Sequence, residues 1–175
     1  VDASGNVTAV AGGGGTNQVT GTGTENAIVL FDSDGNTLKD SAVHLEYDGT
    51  NQNLFVGTDP ASISVGVAQN NYAVGVRALD ALTTGDKNIA VGSDSLGAID
   101  TGDFNIAIGN DAGSTTTYGD FNVFIGNSAG TLNVTSSSNT LVGHAAGGIL
   151  FSNSNTCIGS SSGSSITSGA DNTCM

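Results

Sequence analysis

The chain has 175 residues, of which 37 % are hydrophobic, 11 % charged and 5 % aromatic, with 27 Gly and no Trp. Large side chains carry most of the burial in a globular core, so this composition excludes one thick core and suits a thin interior closed by Val, Ile and Ala. Three basic residues against sixteen acidic ones give a net charge of −13, which repels phosphate backbones and anionic lipid and argues against nucleic-acid and membrane-surface partners.

No apolar run approaches the roughly 20 residues that cross a bilayer, so no membrane insertion is expected. The chain opens at Val1 and stops inside a repeat at Met175, and so reads as a piece of a longer protein. Residues 1–24 are mostly Gly, Thr, Ala and Val and predict a flexible linker or extended stalk. The four-Gly run at 12–15 lacks the Lys and the preceding strand of a phosphate loop.

Residues 25–52 predict a small hairpin or meander module. AIVLF at 27–31 is a short apolar strand, DSDGN at 32–36 a turn, and Val43, Leu45 and Tyr47 alternate with His44 and Glu46 in a second strand. Asp32, Asp34 and Asn36 have the spacing of a calcium loop. Thr37 and Val43, however, stand where such a loop needs Gly and a bidentate Glu, so a plain turn is the simpler reading of this weak metal candidate. His44 reads as a solvent-facing strand residue.

From Asn53 onward one phrase returns: Asn, two residues, an aliphatic, Gly. It appears as NLFVG, then as NYAVG, NIAVG, NIAIG, NVFIG, NTLVG and NTCIG from Asn71, Asn88, Asn105, Asn122, Asn139 and Asn155, and is cut short at Asn172. A fixed period of about 17 residues marks a solenoid. The predicted fold is therefore all-β, a parallel β-roll or β-solenoid over 53–175. Pro60, the only proline, falls in the variable part of the first coil, where no ladder bond is required of it.

Strand alternation puts the second and fourth residues of the phrase on one face and the third on the other. The second and fourth are Tyr72, Ile89, Ile106, Val123, Thr140, Thr156, Thr173 and Val74, Val91, Ile108, Ile125, Val142, Ile158, Met175. The third is Ala73, Ala90, Ala107, Phe124, Leu141, Cys157 and Cys174. Both faces are apolar, and a single thin coil stack covers only one of them. The expectation is that the second and fourth residues fill the coil. The third residues would then meet their symmetry mates at the axis of an intertwined or side-by-side homotrimer.

The leading Asn at 71, 88, 105, 122, 139, 155 and 172 suits a hydrogen-bonded side-chain ladder, or alternatively a turn conformation that Asn tolerates. Gly75, Gly92, Gly109, Gly126, Gly143 and Gly159 end the strand with a sharp bend. Small residues seven positions after each Asn, followed by Leu79, Leu96, Gly113, Gly130, Gly147 and Gly163, mark a second short strand or a bend. Cys157 and Cys174 occupy equivalent places in adjacent coils and read most simply as small apolar filler, with a disulfide or a metal pair as alternatives.

NIAVG and NIAIG resemble the head repeat of trimeric autotransporter adhesins, which builds a left-handed parallel β-roll. Repeats of this type are similar to those of viral and phage tail-fibre and spike proteins, where a segment resembling ENAIVLFDSDGNTLKDSAVHLEYDG precedes them. The period here is longer than in the adhesin head, and residues 1–175 themselves contain no neck, coiled-coil stalk or membrane anchor. The resemblance implies a structural fibre segment of a virion, extracellular, acting as a rigid trimeric spacer and host-receptor-binding element for a glycan or protein. A bacterial surface adhesin head is the alternative. No cofactor is expected. An enzyme is disfavoured because His44 and His144 are the only imidazoles and no nucleophile motif surrounds them. An ice-binding solenoid would need Thr ranks longer than Thr140, Thr156 and Thr173.

Overall fold

A computed structural model describes residues 44–48, 51–57, 67–148 and 152–175. The chain divides into two units, Val1–Asp40 and Ser41–Met175, and every described residue lies in the second. The expected linker at 1–24, the strand at 27–31, the calcium candidate Asp32, Asp34 and Asn36, and Pro60 lie outside the described residues.

Among the described residues, nine strands form one sheet in strict chain order. They are β1 His44–Asp48, β2 Asn53–Gly57, β3 Tyr72–Val74, β4 Ile89–Val91, β5 Ile106–Ile108, β6 Val123–Ile125, β7 Thr140–Val142, β8 Thr156–Ile158 and β9 Thr173–Cys174. β1 and β2 pair antiparallel, Leu45 opposite Val56 and Tyr47 opposite Leu54. Every later pair is parallel, and Ala73, Ala90, Ala107, Phe124, Leu141, Cys157 and Cys174 stack in a single file. Parallel neighbours in chain order, with no helix among the described residues, define a β-solenoid with coils of about 17 residues. Repetition of the phrase dictates this arrangement, because each strand finds its best partner one period away.

From β3 to β8 each coil holds a single three-residue strand, because the Gly that closes the phrase turns the chain. Gly109 has φ 138°, and a Cβ added there would stand 2.5 Å from the carbonyl oxygen of Gly126 in the next coil. The return leg of each coil is a turn, not a second strand. It also stacks by backbone hydrogen bonds, as from Leu96 N to Ala112 O at 3.0 Å and from Gly113 N to Ala129 O at 2.9 Å.

The two strand faces are the reverse of the expectation. Ala73, Ala90, Ala107, Phe124, Leu141 and Cys157 are wholly buried inside the coil, and Cys174 packs partly buried against them. These residues face their own chain and are not available to a trimer axis. The second and fourth residues point outward instead. Alternation fixes only which residues share a face; the width of the coil decides which face turns inward. Facing the third residue across the interior is the left-handed position six residues later, and the two share one small volume. Leu79 and Leu96 fill it opposite Ala73 and Ala90. Gly130 and Gly147 give way where the third residue is Phe124 or Leu141, whose side-chain carbons would lie 2.5 Å from an added Cβ. Two large side chains per strand, as first expected, have no room in such a coil.

Candidate functional site: one amide ladder and two exposed columns

The phrase's Asn residues lie at the inner edge of the sheet, wholly buried from Asn53 to Asn155. Asn105 illustrates their bonding. Its Nδ2 donates to Asn88 Oδ1 at 3.1 Å and to Gly119 O at 2.8 Å, and its backbone N donates to Asn88 Oδ1 at 2.9 Å. Its Oδ1 accepts from Asn122 N and Asn122 Nδ2, both at 3.0 Å. The same bonds link Asn71 to Asn53, Asn139 to Asn122, Asn155 to Asn139 and Asn172 to Asn155. The side chain thus stacks on its neighbours and also closes its own coil, since Gly119 ends the circuit that Asn105 begins.

A second ladder escaped the sequence reading. Two residues before the Asn, Asp103 Oδ1 accepts from Asp86 N at 2.7 Å and Asp120 Oδ1 from Asp103 N at 2.8 Å. Ser137 Oγ and Asn153 Oδ1 continue the series. Its signal was present in the recurring GDKN at 85–88 and GDFN at 102–105 and 119–122.

Between the two ladders, Lys87, Phe104 and Phe121 form an outward column. All three have left-handed backbone, φ 57–58°, and their N–H groups bond one coil back, Phe104 N to Asp86 O and Phe121 N to Asp103 O at 3.0 Å. The phenyl rings stack with centroids 5.0 Å apart and planes 11° from parallel, and Lys87 Nζ lies 4.5 Å from the Phe104 centroid.

The outer face of the sheet is a second column, aliphatic and broad. Tyr72, Val74, Ile89, Val91, Ile108, Ile125 and Ile158 are each 36–51 % exposed. Thr140 and Thr156 replace the aliphatic second residue in the later coils.

Elsewhere, Arg77 forks onto Asp94 of the next coil with both bonds at 2.7 Å. The guanidinium hydrogen bond holds the Asp94 carboxyl below the usual carboxylate range. The open groove at this pair is also lined by Asp80 and Asp111. His144 is exposed just after Gly143. Burial pushes the Cys157 thiol up to about 12, with the Cys174 thiol beside it adding to the rise. Among the described residues, no group of three His, Cys, Asp or Glu gathers to hold a metal, and no helix is long and apolar enough to cross a membrane. No known protein family, curated protein or solved structure matches the chain.

Proposed function

We propose that this chain is a structural segment of an extracellular virion fibre, of the phage tail-fibre or spike kind, in which three copies form a rigid spacer that also takes part in host attachment. The aliphatic stripe along the outer face of the sheet carries this reading. Val and Ile side chains that stay more than a third exposed along successive coils need a covering surface, and further burial contributes up to about 1.5–3 kcal/mol for each side chain fully removed from water. Identical stripes on identical chains cover one another about a common axis. The trimer contacts therefore pass to Tyr72, Val74, Ile89, Val91, Ile106, Ile108, Val123 and Ile125, while the third residues serve the coil. Three chains present three copies of any weak receptor site, so avidity strengthens attachment without a deep pocket. The charge of −13 supports a role without nucleic acid or membrane insertion. The NIAVG and NIAIG phrases keep a bacterial trimeric adhesin head as the second reading, which an anchor barrel encoded in the same gene would favour.

Sedimentation equilibrium tests the proposal. The expected result is a trimer that Ile108→Asp dissociates into monomers with an unchanged β circular dichroism spectrum, because Ile108 is 41 % exposed and contributes nothing to the coil interior. A wild-type chain that stays monomeric at high concentration overturns it.

A further inference from the structure

We propose that the uncovered ring face of Phe121 is a docking site for the guanidinium group of an arginine on a partner protein. The proposal rests on the attachment reading above and gives it a site. The column runs Lys87, Phe104, Phe121, Ser138, one residue per coil. Phe104 covers one face of Phe121 at 5.0 Å, the spacing of the coils. On the other side the next residue in the column is Ser138, too short to spread across a ring, and Phe121 is 58 % exposed. The opposite end of the same stack shows what such a face accepts: Lys87 Nζ lies 4.5 Å from the Phe104 centroid. A cation is drawn there by the negative face of the ring quadrupole.

The surroundings favour positive charge in a partner. Asp103 and Asp120 immediately precede the two rings, and the ladder engages only Oδ1 of each carboxylate. The chain carries three basic residues against sixteen acidic ones. Of those three, Arg77 is engaged by Asp94 and Lys87 by Phe104. Guanidinium is flat, so it extends the stack by one step, and its fork of donors can reach a carboxylate from that position. A neutral sugar could stack on the ring but would gain nothing from the net charge, and an anionic group would be repelled.

The test is an NMR titration of the intact chain with a tetra-arginine peptide, with tetra-lysine and a neutral disaccharide as parallel arms. The expected result is saturable binding with upfield ring-current shifts of the arginine side-chain protons, weakened as salt rises to physiological strength. Phe121→Ser should lower affinity about two- to fivefold, the range for a cation on an exposed ring, and Asp120→Asn should lower it by a smaller factor. Serine already occupies this column at Ser138 and Ser154, so the fold tolerates the exchange; an unchanged circular dichroism spectrum checks this. Absence of saturable binding overturns the proposal. So does binding that survives Phe121→Ser, which is diffuse attraction to an acidic surface, and so does equal or tighter binding of the disaccharide, which is a sugar platform. Failure here leaves the trimer intact, whereas failure of the fibre reading appears as a monomer in sedimentation whatever the peptide does.

Discussion

Five hydrogen bonds converge on the side chain of Asn105, two of them on an Oδ1 that serves the following coil. Asn105→Ala therefore removes more than its own bonds. It leaves Asn122 N, Asn122 Nδ2 and Gly119 O buried without those partners, at about 1–3 kcal/mol for each group that finds no replacement. Thermal unfolding followed by circular dichroism should show a large fall in Tm, and a fall no greater than for an exposed site such as Thr83→Ala would show the ladder to be dispensable. Phe124 tests the other residue-scale device, the shared interior volume. Its ring fills the space beside Gly130 and also beside Gly113 of the preceding coil. Phe124→Ala should cost about 3–5 kcal/mol through the cavity it leaves. Gly130→Leu alone should also destabilise, because the new side chain meets the ring. The double variant reproduces the pairing of Ala90 with Leu96 and should be more stable than the sum of the single effects predicts. Denaturant midpoints of the four proteins measure that coupling, and strict additivity would refute the shared-volume account.

At the scale of the coil, the period and the residues sharing a face were legible in the sequence, because both follow from counting. Polarity of the face was not, because Ile, Val and Ala are all apolar and alternation alone cannot rank them. The missing signal was steric and lay six residues away: Phe124, Leu141 and Cys157 each coincide with Gly130, Gly147 and Gly163, whereas Ala73 and Ala90 coincide with Leu79 and Leu96. Likewise, reading two residues further back from the Asn would have found the Asp ladder, since GDFN occurs twice one period apart. The phenyl stack was harder to foresee, because it needs coil register and a left-handed backbone together. Cys157 belongs to this scale as well, being the third residue of its coil. Its thiol is raised from 9.0 to about 12 in the fold, by burial first. A raised thiol pKa stabilises the fold fully below the unfolded value of 9.0, and that contribution is lost as pH climbs from 9.0 toward 12. Iodoacetamide at mildly alkaline pH should therefore modify Cys174 and spare Cys157 until the coil unfolds. Cys157→Ala should remove this part of the alkaline loss of Tm. Mass spectrometry after timed alkylation reads the first effect, and equal labelling of both thiols would contradict it.

Across the whole solenoid, stability is the sum of what each coil holds and what it shares with its two neighbours. The side chain of Phe124 makes one of those shared terms unequal. Coils beginning at Asn71 and Asn88 bring Leu79 and Leu96 to the interior, the coil beginning at Asn105 brings Gly113, and the ring of Phe124 reaches back into the room that Gly113 leaves. The coils are therefore not interchangeable cassettes, and the repeat has a grammar that recombination must respect. Excision of residues 88–104 brings the Leu79 coil onto the Ala107 coil, a junction equivalent to the present one at Leu96, so the shortened chain should fold with little change in Tm. Excision of residues 105–121 removes the same length but sets Leu96 against Phe124 where Gly113 had stood, and this chain should unfold at a markedly lower temperature. Unequal crossing-over, the usual way tandem repeats lengthen and shorten, is thus free on one side of Phe124 and penalised at its border.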